Sequence, residues 1–290
     1  MKVFLTGATG YIGSVVAEKL IAAGHDVLGL ARSEESAEKL RGRGVTPYRG
    51  DLNDPEGITR VAADSDGVIH TASTGNPKAA QADRQTVEAV LSVLEGTSKP
   101  FVYTSGVWVM GNTGERVADE ESPLDPTPLV AWRPAIERLV LEAAKRHVRT
   151  AVIRPTVVYG RRGGIVGRMV DSARVDGVAR FVGSGENHWS LVHVDDLADL
   201  YGRALEQAPA GTLLLAASGK ALQVREIAKA VSRAAGISGR IQSWPLEQAR
   251  QQLGPYADAL VLDQQISGAK AARLLGWSPQ ALSTQGRVGK

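Results

Sequence analysis

Three glycines at a fixed spacing open the chain and limit what it can fold into. Thr6-Gly7-Ala8-Thr9-Gly10-Tyr11-Ile12-Gly13 follows an apolar stretch, Lys2 to Leu5, and leads into a helix-like run from Ser14 to Ala23. A strand, a tight turn and a helix opening on glycines let backbone approach a pyrophosphate closely. They also aim the helix N-terminal N–H groups at it. A purely structural βα turn would not need three glycines so placed. The expectation is a dinucleotide held by Gly7, Thr9, Gly10, Tyr11, Ile12 and Gly13.

Short apolar runs then alternate with helix-like ones. Strands are expected near 3–5, 26–30, 45–48, 67–70, 101–104 and 150–153, with helices near 14–23, 34–42, 55–63, 79–95 and 129–147. This alternation predicts an α/β fold, a doubly wound parallel (Rossmann) sheet. Right-handed crossovers bring every strand's C-terminal end to one edge, where ligands bind. Past Arg154-Pro155 the pattern loosens. Glycines and arginines dominate 160–186, a helix is expected near 165–176, and Thr212–Ala216 reads as one more strand. The expected division is a dinucleotide-binding domain of 1–153 plus about 187–218, and a smaller, interleaved C-terminal substrate domain of 154–186 plus about 219–282. A frayed polar tail, 283–290, follows. The stretch 111–128 has no periodicity and the length of an active-site cover.

Composition narrows the function. At 290 residues the chain is long enough to bury a full core. Its 34 basic and 31 acidic residues leave a net charge of only +3, which argues against a general nucleic-acid binder. The absence of cysteine excludes disulfides, thiol catalysis and thiolate metal sites. The His193–Asp196 spacing does not suggest a metal site either. No apolar run has the length of a membrane span, and the first residues already read as a strand rather than a signal peptide. A cytoplasmic protein with a small-molecule substrate, and neither nucleic acid nor membrane as partner, is the expectation.

The residue after the second strand of a dinucleotide fold meets the adenosine ribose. An acid there favours NAD; a cation favours the 2′-phosphate of NADP. This chain carries Arg32, with Ser33 as a further donor and no Asp, so NADP(H) is the expected cofactor. Asp51 is placed to accept from the adenine amino group while Leu52 packs on the ring. Thr71, Ala72 and Ser73 follow the fourth strand, where the middle of the cofactor would pass. His70, at that strand's end, reads as a packed histidine.

With these residues the chain resembles the extended short-chain dehydrogenase/reductase family, which includes NAD-dependent epimerase/dehydratases. The resemblance runs over nearly the whole length. It rests on the glycine turn, Gly50-Asp51-Leu52, Tyr103-Thr104-Ser105-Gly106, Arg154-Pro155-Thr156-Val157-Val158-Tyr159-Gly160, His193-Val194-Asp195-Asp196 and Leu274-Leu275-Gly276-Trp277-Ser278-Pro279. It implies that Ser105 polarises a substrate oxygen, that Thr104 lies beside the cofactor, and that the backbone of Pro155, Thr156, Val157 and Val158 meets the carboxamide. It also implies a Tyr-x-x-x-Lys helix, and there the sequence departs. Anchoring on Glu137, which matches the family's Glu eight residues after the tyrosine, puts Leu129 and Arg133 at the tyrosine and lysine positions. No tyrosine occurs between Tyr103 and Tyr159. The chain looks like an atypical branch. Arg133 has the means to hold the nicotinamide ribose but not to relay protons as a lysine can.

Ser105, Tyr159, His188 and His193 are the candidate replacements for the missing donor. Trp108 and Met110 are candidate pocket residues, and His188 a candidate substrate contact. The expected function is an NADP(H)-dependent oxidoreductase, passing hydride to a small carbonyl, imine or activated alkene. Its rivals are a silent NADP(H)-binding redox sensor and a nucleotide-sugar epimerase or dehydratase. The resemblance also implies a homodimer, because family members often pair through long helices of the sheet domain.

Overall fold

A computed structural model of the chain describes residues 1–75 and 78–281; the expected tail, 283–290, lies outside them. The first half runs β1 (Lys2–Thr6), α1 (Tyr11–Ala22), β2 (Asp26–Ala31), α2 (Glu34–Arg41), β3 (Thr46–Arg49), α3 (Pro55–Ala63), β4 (Gly67–His70), α4 (Ala79–Leu94) and β5 (Pro100–Thr104). A short β6 (Val117–Ala118), α5 (Arg133–Glu142) and β7 (Arg149–Pro155) follow. The second half is β8 (Val157–Tyr159), α6 (Gly164–Asp176), β9 (Ala179–Val182), β10 (His188–His193), α7 (Val194–Gln207), β11 (Thr212–Ala216) and β12 (Ser218–Gln223). It closes with α8 (Val224–Ala234), β13 (Ile241–Trp244), α9 (Leu246–Leu253), α10 (Tyr256–Leu260), β14 (Gln265–Ile266) and α11 (Ala269–Leu275).

Seven strands form one parallel sheet in the order β11-β7-β5-β4-β1-β2-β3. Alternation along each strand explains its two covered faces. Val3, Leu5, Ile69, Val102 and Ile153 point to one core with α1 and α7, while Phe4, Val68, Phe101, Tyr103 and Val152 point to the other with α3, α4 and α5. Each such buried side chain contributes about 1.5–3 kcal/mol. The strand order reverses between β1 and β4, which makes a crevice at their C-terminal ends.

Local signals set the helix starts. Asp54 caps α3, its carboxylate accepting from Gly57 N at 3.0 Å, and Pro55 lies in the first turn, where its missing N–H costs nothing. The single helix expected over 129–147 is instead a 3₁₀ turn (Pro128–Val130), α5, and a second 3₁₀ turn (Ala143–Arg146) ended by His147 at φ +58°. Pro134 is the reason. It cannot sit in a helix interior, so α5 begins at Arg133.

The second half splits its allegiance. β10 hydrogen-bonds β8 and β12 in a small sheet, β9 pairs with β13, and these strands pack with α6 and α8 around their own core, which includes Phe181, Trp189 and Val231. α7, directly after β10, returns to pack on α1. The β6–β14 pair ties the 111–128 stretch down, together with Gln264, whose side-chain amide donates to Val107 O and Gly111 O at 2.8 Å each.

Candidate functional site

Gly7 takes φ +75°, and an added Cβ would lie 2.8 Å from Ala72 N. At Gly13 a Cβ would lie 2.2 Å from Gly7 O, so the turn and α1 can approach this closely only as glycines. Gly10 is the N-cap of α1 and offers no side-chain acceptor to the helix's first N–H groups. The Gly10 N–H closes the turn on Gly7 O at 2.8 Å, and a glycine turn that opens a helix in this way fits a dinucleotide's pyrophosphate. Thr71 Oγ1 donates to Thr6 O at 2.8 Å, which holds the chain after β4 against this turn. Ala72 is half-buried beside it and Ser73 is exposed. Behind the turn runs a buried chain: Thr6 Oγ1 lies 2.6 Å from His70 Nδ1, His70 Nε2 lies 2.8 Å from Asp83 Oδ1, and the Tyr103 hydroxyl donates to Asp83 Oδ2 at 2.5 Å. His70 is therefore a packed side chain.

Beside the glycine turn opens a cavity of about 280 Å³, whose walls include Tyr11, Ile12, Thr104, Ser105, Trp108, Arg133 and the Pro155–Val158 segment. Ser105 sits at the C-terminal end of β5, its N–H donating to Ile153 O at 2.8 Å. Its hydroxyl is buried and has no hydrogen-bond partner among the described residues. Arg133 Nη1 donates to Thr104 O at 2.9 Å, and its guanidinium stands 4.7 Å from the Trp132 ring centroid. Thr104 Oγ1 meets the Tyr201 hydroxyl at 2.6 Å, and burial pushes that phenol well above its ordinary value. One turn beyond Arg133, Glu137 takes a bidentate pair from Arg154 on β7 at 3.0 and 2.5 Å, both side chains almost fully buried. The pair fixes α5 against the sheet and with it the position of Arg133. Thr156 donates twice to Ala216 O, from N at 3.1 Å and Oγ1 at 2.8 Å, which locks the backbone between β7 and β8.

Among the described residues the only phenol on this wall is Tyr11. Its hydroxyl donates to Gly160 O at 2.8 Å, and burial, with the Asp195 carboxylate, raises its pKa. Leu129, at the family's tyrosine position, lies in the 3₁₀ turn, 38% exposed and away from the wall, which Val130 lines instead.

The remaining expected residues are placed as follows. Arg32 follows β2, exposed, with no acidic partner among the described residues; Glu34 pairs with Arg41 and Arg49, and Glu35 with Lys39. Ser33 caps α2 by accepting from Ser36 N at 3.1 Å. Asp51 Oδ1 accepts from Asn53 N and Nδ2 at 2.8 and 2.7 Å, and Leu52 is buried in the core of α3 and α4. Tyr159 lies off the cavity wall, buried with its ring edge-on to His193 at 5.1 Å, and burial raises its pKa. His193 Nδ1 accepts from Asp195 N at 3.2 Å. Met110 is 3% exposed, in a core with Val109 and Ile266 rather than on the cavity wall. His188 Nδ1 lies 2.9 Å from Asp263 Oδ1 and lines a different cavity, beside Lys220 and Gln265. Among the described residues no three His, Asp or Glu side chains are grouped to hold a metal ion, and no helix is long and apolar enough to cross a membrane. Ile165 and Arg168, on the first turns of α6, also reach the cavity; the sequence marks this stretch only as rich in glycine and arginine.

The chain is similar to known proteins over nearly its whole length. A protein of Schizosaccharomyces pombe whose function is uncharacterized is 35% identical, over 96% of this chain and 95% of that protein. The 4-hydroxy-2-methyl-3-oxo-4-farnesyl-3,4-dihydroquinoline-1-oxide ketoreductase of Stigmatella aurantiaca is 26% identical, over 99% of this chain and 94% of that protein. The fold matches that of dTDP-glucose 4,6-dehydratase from Bacillus anthracis, solved in complex with NAD, with a TM-score of 0.84 at 17% identity, covering 99% and 94% of the two chains. The model of one family matches residues 3–215, the span that contains the glycine turn, Ser105, Arg133 and Pro155–Val158: this chain belongs to the NAD-dependent epimerase/dehydratase family.

Proposed function

We propose that the protein is a reductase that converts a carbonyl to an alcohol at the expense of a nicotinamide dinucleotide, NADPH in preference to NADH. The carrying observation is Ser105, a buried hydroxyl without a partner on the same wall as Arg133 and the Pro155–Val158 backbone. When bound, the dinucleotide supplies hydride to the carbonyl carbon. Ser105 Oγ–H donates to the substrate oxygen and polarises it. As the alkoxide forms, Ser105 passes it a proton and regains one from water. Arg133, tethered to Thr104 O, directs its remaining N–H groups to the ribose hydroxyls and keeps fixed positive charge near the reacting centre. The sheet lobe carries the dinucleotide and the lobe around α6 and α8 covers the substrate. Arg32 reads the 2′-phosphate, since the neighbouring Glu34 and Glu35 already have cationic partners. Glu137, Arg154 and Tyr201 act through others and are positioning residues. The relative named a ketoreductase supports carbonyl reduction.

The test is NADPH consumption against ketones, aldehydes, imines and enones, run beside Ser105→Ala. Turnover of at least one class is expected, falling about 10²–10³-fold in the variant. Tight NADPH binding without turnover of any member would overturn the reading in favour of a sensor.

A further inference from the structure

A second chamber, of about 380 Å³, opens beside the cavity that holds Ser105. Ile165 and Arg168 line both spaces, so the two meet at the first turns of α6. On the other side of the junction the Trp108 ring stands edge-on to Tyr256 at 5.8 Å, one ring from each space. The chamber's walls are mostly apolar and aromatic, with Met169, Phe181, Trp189, Trp244 and Leu260 among them, and Ser172, Asp176, Arg180 and Gln252 add polar groups. The Trp189 N–H is already satisfied by Leu260 O at 3.3 Å, and Arg180 by Asp176, so neither is free to read a polar ligand.

Charge accounting at the junction is decisive. Arg161 pairs with Glu18 and Asp195, and Arg174 with Asp171, while Arg162, exposed just before α6, lines neither space. Arg168, on the shared wall, has no acidic partner among the described residues; its Nη2 donates only to the neutral Tyr256 hydroxyl at 3.1 Å. A diphosphate would call for several free cations. One free guanidinium at the neck of an apolar chamber matches a single carboxylate, which it can bind through two parallel N–H donors.

We infer that the substrate is an amphipathic oxo acid: its carbonyl at Ser105, its carboxylate at Arg168 and an alkyl or aryl tail in the chamber behind. The inference rests on the reductase reading for the carbonyl, but the chamber and Arg168 make a claim about binding that can fail alone.

The experiment has two arms. In the first, tryptophan emission is followed as the full-length protein is titrated with decanoate and, separately, with UDP; Trp189 and Trp244 lie in the chamber wall. In the second, NADPH turnover is measured for short- and long-chain oxo acids and their methyl esters. The variants are Arg168→Gln and Ser172→Trp; both sites are exposed on α6, and the added indole would occupy the chamber from its α6 side. Decanoate is expected to quench the emission. KM is expected to fall roughly three- to fourfold per added CH₂. Arg168→Gln should raise KM about tenfold for the acids and leave the esters unmoved. Ser172→Trp should abolish the chain-length trend and spare short substrates. Turnover indifferent to tail length and to Arg168 would overturn the inference while the reductase reading stands. Binding of UDP and not decanoate would also overturn it. Decanoate binding that weakens in Arg168→Gln, with no carbonyl reduced, would sustain the chamber and sink the reductase reading instead.

Discussion

Ser105 and Arg32 are both polar side chains, the first without a hydrogen-bond partner and the second without an acidic one among the described residues, yet the energetics differ. A buried hydroxyl with nothing to bond costs about 1–3 kcal/mol. Ser105→Ala is therefore expected to leave thermal stability unchanged or raised while turnover collapses; a fall in Tm would mean that the hydroxyl serves the fold. Arg32 is exposed, so its lack of a partner costs the free protein little. A charge-assisted contact to a 2′-phosphate is worth about 1.5–3 kcal/mol. Arg32→Asp is accordingly expected to shift the ratio of NADPH to NADH affinity toward NADH by tenfold to a hundredfold, read by titration with each nucleotide. An unchanged ratio would remove Arg32 from the site.

At the scale of elements, α5 is the part most changed from the family pattern. Its attachment is the Glu137–Arg154 pair, and Arg154 Nη1 has no partner among the described residues. Glu137→Gln would leave a buried guanidinium uncompensated. A loss of about 3–5 kcal/mol is expected in urea unfolding, with a weaker grip on the dinucleotide because Arg133 sits one turn away. Expected helices α2, α3, α4 and α6 match the sequence reading to within a residue or two, because capping residues and apolar periodicity are local. The apolar pattern runs through Pro134, whose steric veto outweighs it, so α5 is shorter than that pattern predicts. β6, β9, β13 and β14 left no comparable trace. They are two to four residues long, and β6 finds its partner in β14, near the far end of the chain.

Across the whole molecule, the sheet half of the candidate site was legible in the sequence and the half around α6 was not. The glycine turn, Ser105 and Pro155–Val158 stand at strand ends, which alternation locates. The apolar chamber is assembled from α6, β9, β10, β13 and α10, and no local pattern announces that they meet. The buried phenols set a property of the molecule as a whole. Burial raises the pKa of Tyr11, Tyr103, Tyr159 and Tyr201 above the ordinary value near 10. The unfolded chain then releases protons that the native state keeps. Their contribution to stability is intact below pH of about 10 and is lost as pH rises through that value toward the raised native pKa values. Urea midpoints are expected to decline above pH of about 10; a flat profile there would refute it. Tyr11 has a second consequence. Its ring stands against the backbone of Gly163 and Gly164 and its hydroxyl holds Gly160, so the residue that begins α1 also braces the entrance to α6. The start of α1 and the turn before α6 thus lean on a single post, and a change at that one ring would be felt on both sides of the candidate site.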